Sequence, residues 1–367
     1  MQLPGEQGQH NADPQLLCAG NAIVDVYAEV PPEFCEQFFL SAGIQHVSAE
    51  TTAAILAALT QECSAAFYPE KSAGIVMVSG GNAANTAKVA SRLGVRCAFA
   101  GAAGNDAVGG FFAEELQREE ISLYLSRKKS PTGLFISLIS KKIVSDIPAF
   151  TTYIAASPSA AEEFDDQDLD EAMFKTSGKI LQVFLIDGFF LEKERLLNRI
   201  LALADKYNLT LALDMGTEHI AERQAHLIKE KKSFFWDRTS RSRPMILFLN
   251  EKEAQVFAKT LVSDWHDIFI AASKDQNILA AVKLAEHGAA VFSGGNVFRA
   301  ETEPVTAAEN TAAGDAFAAG FLAAWLQGKN PEQCGQAGNS AAALVLQNPG
   351  TSQINIPAAA HETDPVP

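Results

Sequence analysis

The stretch whose residue types best suit a chemical reaction runs from residue 309 to residue 328 and reads E-N-T-A-A-G-D-A-F-A-A-G-F-L-A-A-W-L-Q-G. Its second half has apolar residues at a period near 3.6, which predicts a helix closed by the final glycine. Small residues precede this helix, and Asp315 falls in its first turn. The free N–H groups of residues 312–314 and the helix dipole would form an anion site suited to a phosphate. The dipole also favours an ionised Asp315, available as a general base at neutral pH. An ordinary helix cap gives the same local pattern.

A second candidate is Asp25, which lies between two valines in residues 16–30, L-L-C-A-G-N-A-I-V-D-V-Y-A-E-V. This stretch predicts a buried strand, an interruption at Gly20-Asn21, and a second strand whose aspartate points away from its valine neighbours. Such an aspartate lies either on a solvated face or in a pocket, and the stretch alone leaves both readings open.

A third candidate is the segment S-G-G-N-A-A-N at residues 79–85. A short strand runs into Gly80 and Gly81, and a helix follows. Two adjacent glycines allow the backbone to come very close to a ligand. Asn82 and Asn85 fall in the first helical turn, where an amide can meet hydroxyl groups. A tight turn with an asparagine cap is the alternative.

A fourth candidate is the pair Asn250 and Glu253, which follows a predicted strand. Residues three apart at the start of a helix share one face. An amide and a carboxylate there could hold a hydrated Mg²⁺, which keeps most of its waters. A capping box, with Asn at the N-cap and Glu at N3, predicts the same pair.

Strands and helices alternate between these motifs, which is typical of an α/β fold with a doubly wound parallel sheet. Ligands in such folds bind at the carboxyl ends of the strands. Two apolar strands at residues 134–140 and 150–155 interrupt the alternation and predict a small sheet outside the main one. A last helix is predicted over residues 335–346.

The composition argues against several classes of protein. A net charge of -15 and a pI near 4.9 argue against nucleic acid as the main partner. The basic segment at 229–244 is predicted to be a solvated helix end and loop. No apolar run is long enough for a membrane span, and the first fourteen residues lack the pattern of a signal peptide. Five scattered cysteines predict reduced, mostly buried thiols and a cytoplasmic location.

Taken in order, the four motifs resemble the PfkB (ribokinase-like) family of carbohydrate and nucleoside kinases. The family's Gly-Gly-x-x-x-Asn motif matches residues 80–85, its N-x-x-E motif matches residues 250–253, and its D-T-x-G-A-G-D signature matches E-N-T-A-A-G-D at 309–315. An early strand bearing an aspartate matches Asp25. The version G-N-A-I-V-D-V, some fifty residues before Gly80, is more similar to the adenosine-kinase-like branch than to ribokinase.

The resemblance implies a ribokinase-like fold, that is, a doubly wound, mostly parallel sheet flanked by helices, with a small β-sheet lid. It implies a kinase domain over about residues 16–355, with the lid formed by parts of 26–50 and 131–156. The segments 1–15 and 356–367 are expected to be tails, the first of them disordered. The lid could cover its own site in a monomer or pair with a second copy in a homodimer.

The resemblance also assigns roles to individual residues. Asp315 would be the base, with the amides of Ala312, Ala313 and Gly314 as an anion hole for the transferred phosphoryl group. The remaining roles are acceptor binding by Asp25, Gly80, Gly81 and Asn85, nucleotide binding by Asn250, Gly288 and Asn339, and Mg²⁺ binding through water by Asn250 and Glu253. The implied ligands are ATP, Mg²⁺, a small sugar or nucleoside, and a monovalent cation such as K⁺.

The sequence departs from the family pattern at several positions. Glu309, Asn310 and Ala312 stand where the family has Asp, Thr and Gly, and Ala285 stands where it has a glycine before the nucleotide loop. Because alanine resists a positive φ, we expect either a shifted anion hole or a loop with an allowed φ at Ala312.

The expected activity is phosphoryl transfer from ATP to a hydroxymethyl group. The alternatives are an adenosine or ribonucleoside kinase specifically, and a weakly active kinase-fold sensor of nucleotide or sugar.

Overall fold

The computed structural model describes residues 13–41, 43–62, 75–140, 150–175, 181–230, 243–275, 277–303, 305 and 312–347. Several sequence predictions fall outside these residues: most of the first tail, the second tail, residues 309 and 310, and most of the basic segment at 229–244. Within the described ranges, no helix is both long and apolar enough to cross a membrane. The four described cysteines, Cys18, Cys35, Cys97 and Cys334, are buried free thiols.

The described strands and helices alternate along most of the chain. In order they are β1 Leu16–Ala19, β2 Ile23–Val30, α1 Pro32–Gln37, β3 Gly43–Val47, α2 Ala49–Glu62, β4 Val76–Gly80, α3 Asn82–Arg92, β5 Cys97–Gly104, α4 Ala107–Arg118, β6 Ser122–Lys128, β7 Gly133–Ser140, β8 Phe150–Ala156, β9 Val183–Asp187, α5 Glu194–Lys206, β10 Thr210–Asp214, α6 Glu218–Lys229, β11 Met245–Asn250, α7 Glu251–Leu261, α8 Trp265–Asp275, β12 Ile278–Lys283, β13 Ala289–Ser293, β14 Asn296–Ala300, α9 Ala313–Leu326 and α10 Pro331–Gln347.

The larger sheet has the strand order β14-β13-β12-β11-β10-β9-β1-β5-β6. Neighbours from β12 to β6 pair in parallel, whereas β13 and β14 are antiparallel additions at one edge. The predicted mostly parallel sheet is therefore confirmed. Parallel neighbours need long crossover connections, and the helices between the strands provide them.

Both faces of this sheet are buried by helices. In β1, Leu16 and Cys18 belong to the apolar cluster that contains the α3 and α9 side chains. Leu17 and Ala19 point the other way, into the cluster that contains α5, α6 and α7. A strand that is buried on both faces has no polar alternation, which explains the continuous apolar runs of the sequence.

The smaller sheet has the order β3-β8-β7-β2-β4. The predicted β7–β8 hairpin is confirmed as an antiparallel pair. The interruption at Gly20-Asn21 proves to be a change of sheet, because β1 belongs to the larger sheet and β2 to the smaller one. β4, which leads to Gly80, also joins the smaller sheet. A separate small sheet is thus present, and its role as a lid stays a prediction.

One face of the smaller sheet is covered by α1 and α2. Val24 and Val26 of β2 are fully buried in the same apolar cluster as Phe34 of α1 and Ile55 of α2. Asp25 points to the opposite face and is only half-buried. The alternation in β2 therefore separates the apolar core of the small sheet from the face that carries the carboxylate.

Candidate active site

The site is organised around the first turn of α9. This helix begins with Ala313, so Asp315 is its third residue and Ala312 is the N-cap, which makes no side-chain capping bond. Ala312 has φ 62°, in the left-handed region. The expectation that alanine would avoid a positive φ here is wrong. The loop keeps the backbone geometry that glycine would adopt, at a conformational cost of about 1–2 kcal/mol.

Asp315 is linked across the interior of the protein to the Gly80-Gly81 segment, residues 79–85. The Asn85 Nδ2 atom donates a hydrogen bond to Asp315 Oδ2 at 2.9 Å, and Thr86 Oγ1 donates to the Asp315 carbonyl at 3.3 Å. Asn85 and Asp315 are buried, with 6% and 8% of their surface exposed. The asparagine is therefore not a simple cap of α3, since its side chain positions a carboxylate 230 residues away in sequence.

Gly80 and Gly81 are glycines because other groups occupy the space of their missing side chains. A Cβ on Gly80 would lie 2.1 Å from Asp25 Oδ2, and a Cβ on Gly81 would lie 2.2 Å from the Asn21 carbonyl oxygen. Gly81 also has φ +91°, which favours glycine. The Asp25 carboxylate thus lies directly against the turn that leads into α3 and Asn85.

Two further carboxylates lie close to Asp315. Asp187 ends β9 and Asp214 ends β10, paired with each other in register, and both are almost fully buried. Burial, followed by the charge of Asp214, raises the pKa of Asp315 to about 8, against the lowering effects of the Asn85 hydrogen bond and of Lys283. Burial and Asp214 likewise raise the pKa of Asp187 to about 7, although the Phe189 N–H bond opposes this. The expectation that Asp315 is ionised at neutral pH is therefore wrong for the free protein, because burial among carboxylates outweighs the helix dipole.

The ammonium group of Lys283 faces these carboxylates from the end of β12. Its Nζ atom lies 3.4 Å from Asp214 Oδ2. Burial alone would lower its pKa, but the charges of Asp214, Glu253 and Asp315 outweigh burial and raise it. Lys283 therefore stays protonated at neutral pH and partly neutralises the site.

Asn250 and Glu253 form the capping box that was one of the two readings of the sequence. Asn250 Oδ1 accepts from the Glu253 N–H at 2.8 Å, while Glu253 Oε2 accepts from the Asn250 N–H at 2.9 Å. Burial, with the charge of Asp214, raises the pKa of Glu253 to about 7. Among the described residues, no group of three or more His, Cys, Asp or Glu side chains could hold a metal ion directly.

A cavity of about 780 Å³ extends from the start of α9 to β11, β12 and α10. Asn250, Gly288, Ala313, Gly314 and Asn339 all line it. Its volume lies within the usual range for small-molecule and cofactor sites. Ala313 and Gly314 of the candidate anion hole and the three candidate nucleotide-binding residues therefore border one common space.

Two backbone features shape the wall of this cavity. Asn339 Nδ2 donates to the carbonyls of Ala300 at 2.9 Å and Glu301 at 3.2 Å. Gly288 has φ +76°, and a Cβ there would lie 2.1 Å from the Ala300 carbonyl oxygen. Ala285, which stands where a glycine was expected, has φ 51°. Ala285 and Ala312 thus both carry a left-handed conformation beside the same cavity.

The model of the "pfkB family carbohydrate kinase" matches residues 56–359, well over half of the chain. The chain belongs to the pfkB family of carbohydrate kinases. It is a kinase of the sugar and nucleoside class, and the family implies ATP as its phosphate donor.

Among its relatives, a nucleoside kinase of Methanothermobacter thermautotrophicus is 26% identical over 76% of this chain and 81% of its own length. An adenosine kinase of Dictyostelium discoideum is 24% identical over 92% of this chain and 96% of its own. The structure of an adenosine kinase from Sinorhizobium meliloti superposes with a TM-score of 0.69 at 22% identity, covering 92% of this chain and 94% of that one. The fold is ribokinase-like, with adenosine-kinase-like neighbours in sequence and structure.

The motifs of the pfkB family led to Asp315 and Asn85, but not to Asp187, Asp214 or Lys283. Each of these three ends a buried parallel strand of the larger sheet. A charged residue directly after an apolar run, repeated on neighbouring strands, is the signal that could have found them, because those strand ends meet at one edge.

Proposed function

We propose that this pfkB-family protein transfers the γ-phosphoryl group of ATP to a hydroxymethyl group of a sugar or nucleoside. The observation that carries the proposal is the 2.9 Å hydrogen bond between Asn85 and Asp315 at the start of α9, beside the 780 Å³ cavity. It joins a candidate acceptor-binding residue to a candidate base, next to a space of suitable size for a nucleotide.

In this mechanism the ionised form of Asp315, which is the minor form in the free protein at neutral pH, accepts the proton of the attacking hydroxyl group. The hydroxyl oxygen forms a bond to the γ-phosphorus, the bond from that phosphorus to the bridging oxygen breaks, and ADP leaves. The amides of Ala312, Ala313 and Gly314 would stabilise the charge on the transferred group, since the first N–H groups of a helix have no intrahelical acceptors. The reaction needs positioning and charge neutralisation more than covalent assistance.

Acceptor binding is assigned to Asp25, Gly80, Gly81 and Asn85. The Asp25 carboxylate lies against Gly80, on the face of the small sheet that α1 and α2 leave open. A carboxylate and an amide in this position can bind two hydroxyl groups of one sugar ring. The hydroxymethyl group would then point towards Asp315.

Nucleotide binding is assigned to the cavity wall formed by Asn250, Gly288 and Asn339. The proposal includes Mg²⁺, held through water by Asn250 and Glu253. The fit rests on charge, because burial and the charge of Asp214 raise the pKa of Glu253, and a cation would offset this effect. When bound, the ion would neutralise phosphate charge. Asn250 and Glu253 themselves orient water through oxygens that their capping box already fixes. A requirement for K⁺ is tested by omitting it from the assay.

The small sheet is proposed to act as a lid that excludes water from the phosphoryl group. One of its faces is already covered by α1 and α2, so it can close over its own site in a monomer. A homodimer through the lid would have to use the remaining face, and sedimentation distinguishes the two states. A cytoplasmic location belongs to the same proposal.

Within this function, a ribonucleoside acceptor such as adenosine is the finer candidate, supported by nucleoside and adenosine kinases among the relatives. The experiment is ADP release from Mg-ATP with ribose, fructose, 2-keto-3-deoxygluconate, adenosine, inosine and guanosine. ADP release that depends on one acceptor supports the proposal and identifies the substrate class. ATP binding by calorimetry without ADP release for any acceptor would favour a sensor instead.

A further inference from the structure

Lys283 occupies a position between the carboxylate cluster and the candidate anion hole. It is the last residue of β12 and pairs in register with Asn250 of β11. Its side chain is only 17% exposed. A Cβ on Gly314 would lie 3.1 Å from Lys283 Nζ, so the ammonium group lies immediately beside the first turn of α9. Lys283 and Gly314 both line the nucleotide-sized cavity.

The contacts of Lys283 leave it able to bind another anion. Within the described part of the chain, its one hydrogen-bond acceptor is Asp214 Oδ2, at 3.4 Å. Charge-assisted hydrogen bonds are normally 2.7–2.9 Å long, so this bond is a loose one. An ammonium group has three donors. At least two of them therefore have no acceptor among the described residues.

The surrounding carboxyl groups favour a cation beside a bound phosphate. Asp214, Glu253 and Asp315 all interact with Lys283, and each is at least nine-tenths buried. A terminal phosphate placed at the start of α9 would bring further negative charge close to these carboxylates. Without Lys283, and in the absence of Mg²⁺, the amides of the helix would have to offset that repulsion alone.

We propose that Lys283 is a catalytic residue of this site, whose ammonium group donates to the terminal phosphate of ATP beside the amides of Ala313 and Gly314. The proposal rests on the proposed function. Lys283 keeps its proton throughout, while the phosphoryl group moves from the bridging oxygen of ADP to the acceptor oxygen and the acceptor proton moves to Asp315. Its contribution is to neutralise charge on the peripheral phosphoryl oxygens as the bond breaks.

The test compares Lys283→Met, Lys283→Arg and the wild-type protein by calorimetry with ATP and with AMP, both without Mg²⁺. Lys283→Met should bind ATP at least tenfold more weakly and AMP within twofold of wild type, because AMP has no terminal phosphate. Lys283→Arg should recover most of the ATP affinity. In the presence of Mg²⁺ and an acceptor, kcat of Lys283→Met should fall at least a hundredfold, with the acceptor KM little changed.

Lys252→Met is the matched control, because Lys252 also lines the cavity but is exposed. Its removal should change ATP affinity less than threefold, and added salt should abolish that change. A Lys283→Met variant that binds ATP as wild type does would overturn the proposal. A loss of AMP affinity equal to the loss of ATP affinity would also overturn it, since it would indicate a general structural effect.

A second variant separates phosphate binding from simple pairing with Asp214. If Lys283 only neutralises Asp214, the double variant Asp214→Asn/Lys283→Met should regain wild-type ATP affinity, which would overturn the proposal. If Lys283 binds phosphate, the double variant should stay at least tenfold weaker than Asp214→Asn alone. Acceptor-dependent ADP release by the wild-type protein tests the kinase function independently, so failure of one idea is distinguishable from failure of the other.

Discussion

The raised pKa of Asp315 predicts an unusual dependence of stability on pH. In the unfolded chain this carboxyl group ionises near its ordinary pKa of 3.8, whereas in the folded protein its pKa is about 8. The folded state thus holds the proton more tightly. The stability from this group is fully present below pH 4 and is lost progressively as the pH rises towards 8.

The size of the effect follows from the linkage slope. Between pH 5 and pH 7, Asp315 is ionised in the unfolded state and protonated in the folded state, so each pH unit removes about 1.4 kcal/mol of stability. Asp315→Asn carries no ionisable group and can still accept the hydrogen bond from Asn85. The variant should therefore gain about 3 kcal/mol relative to wild type between pH 5 and pH 7, or several degrees of Tm.

The assay is urea or thermal unfolding of both proteins across this pH range, without ligands. Asp106→Asn is the control, because hydrogen bonds from Gly109 and Thr132 outweigh the effect of its partial burial and lower the pKa of Asp106. Asp106 is ionised in both states above pH 5, so that variant should differ from wild type by a constant amount. Parallel stability profiles for wild type and Asp315→Asn would refute the reasoning about burial. Asp315→Asn should also lose about two to four decades of turnover, the usual loss when a general base is removed.

Three further substitutions test the other parts of the site. Asp25→Ala should raise the KM for the acceptor more than the KM for ATP; equal effects would place Asp25 outside the acceptor pocket. Gly80→Ala should raise the acceptor KM at least about tenfold because its Cβ would lie 2.1 Å from the Asp25 carboxylate, while Gly110→Ala, with nothing within 4 Å, should leave it unchanged. Ala312→Gly relieves a left-handed alanine, so this variant should be more stable than Ala313→Gly by about 1–2 kcal/mol and should unfold at a higher temperature. The reverse order of unfolding temperatures would show that φ 62° is not strained.

The sequence by itself determined several of the strands and helices, because these depend on local periodicity. The helix that follows Gly81, the strand that ends at Asn250 and the β7–β8 hairpin lie where the apolar pattern predicts them. The last helix begins at Pro331, four residues before the predicted start at residue 335. Proline fits the first turn of a helix, and the polar residues that follow it carry no apolar signal.

The tertiary structure alone decided which strands share a sheet and which side chains meet. The residues on either side of Gly20-Asn21 read alike as strands, yet they pair with different partners in different sheets. Asn85 meets Asp315 only because α3 packs against α9. The pKa of Asp315 was mispredicted for the same reason: a helix dipole can be inferred from the local sequence, but burial and the charge of Asp214 come from strand ends that are distant in sequence and close in space.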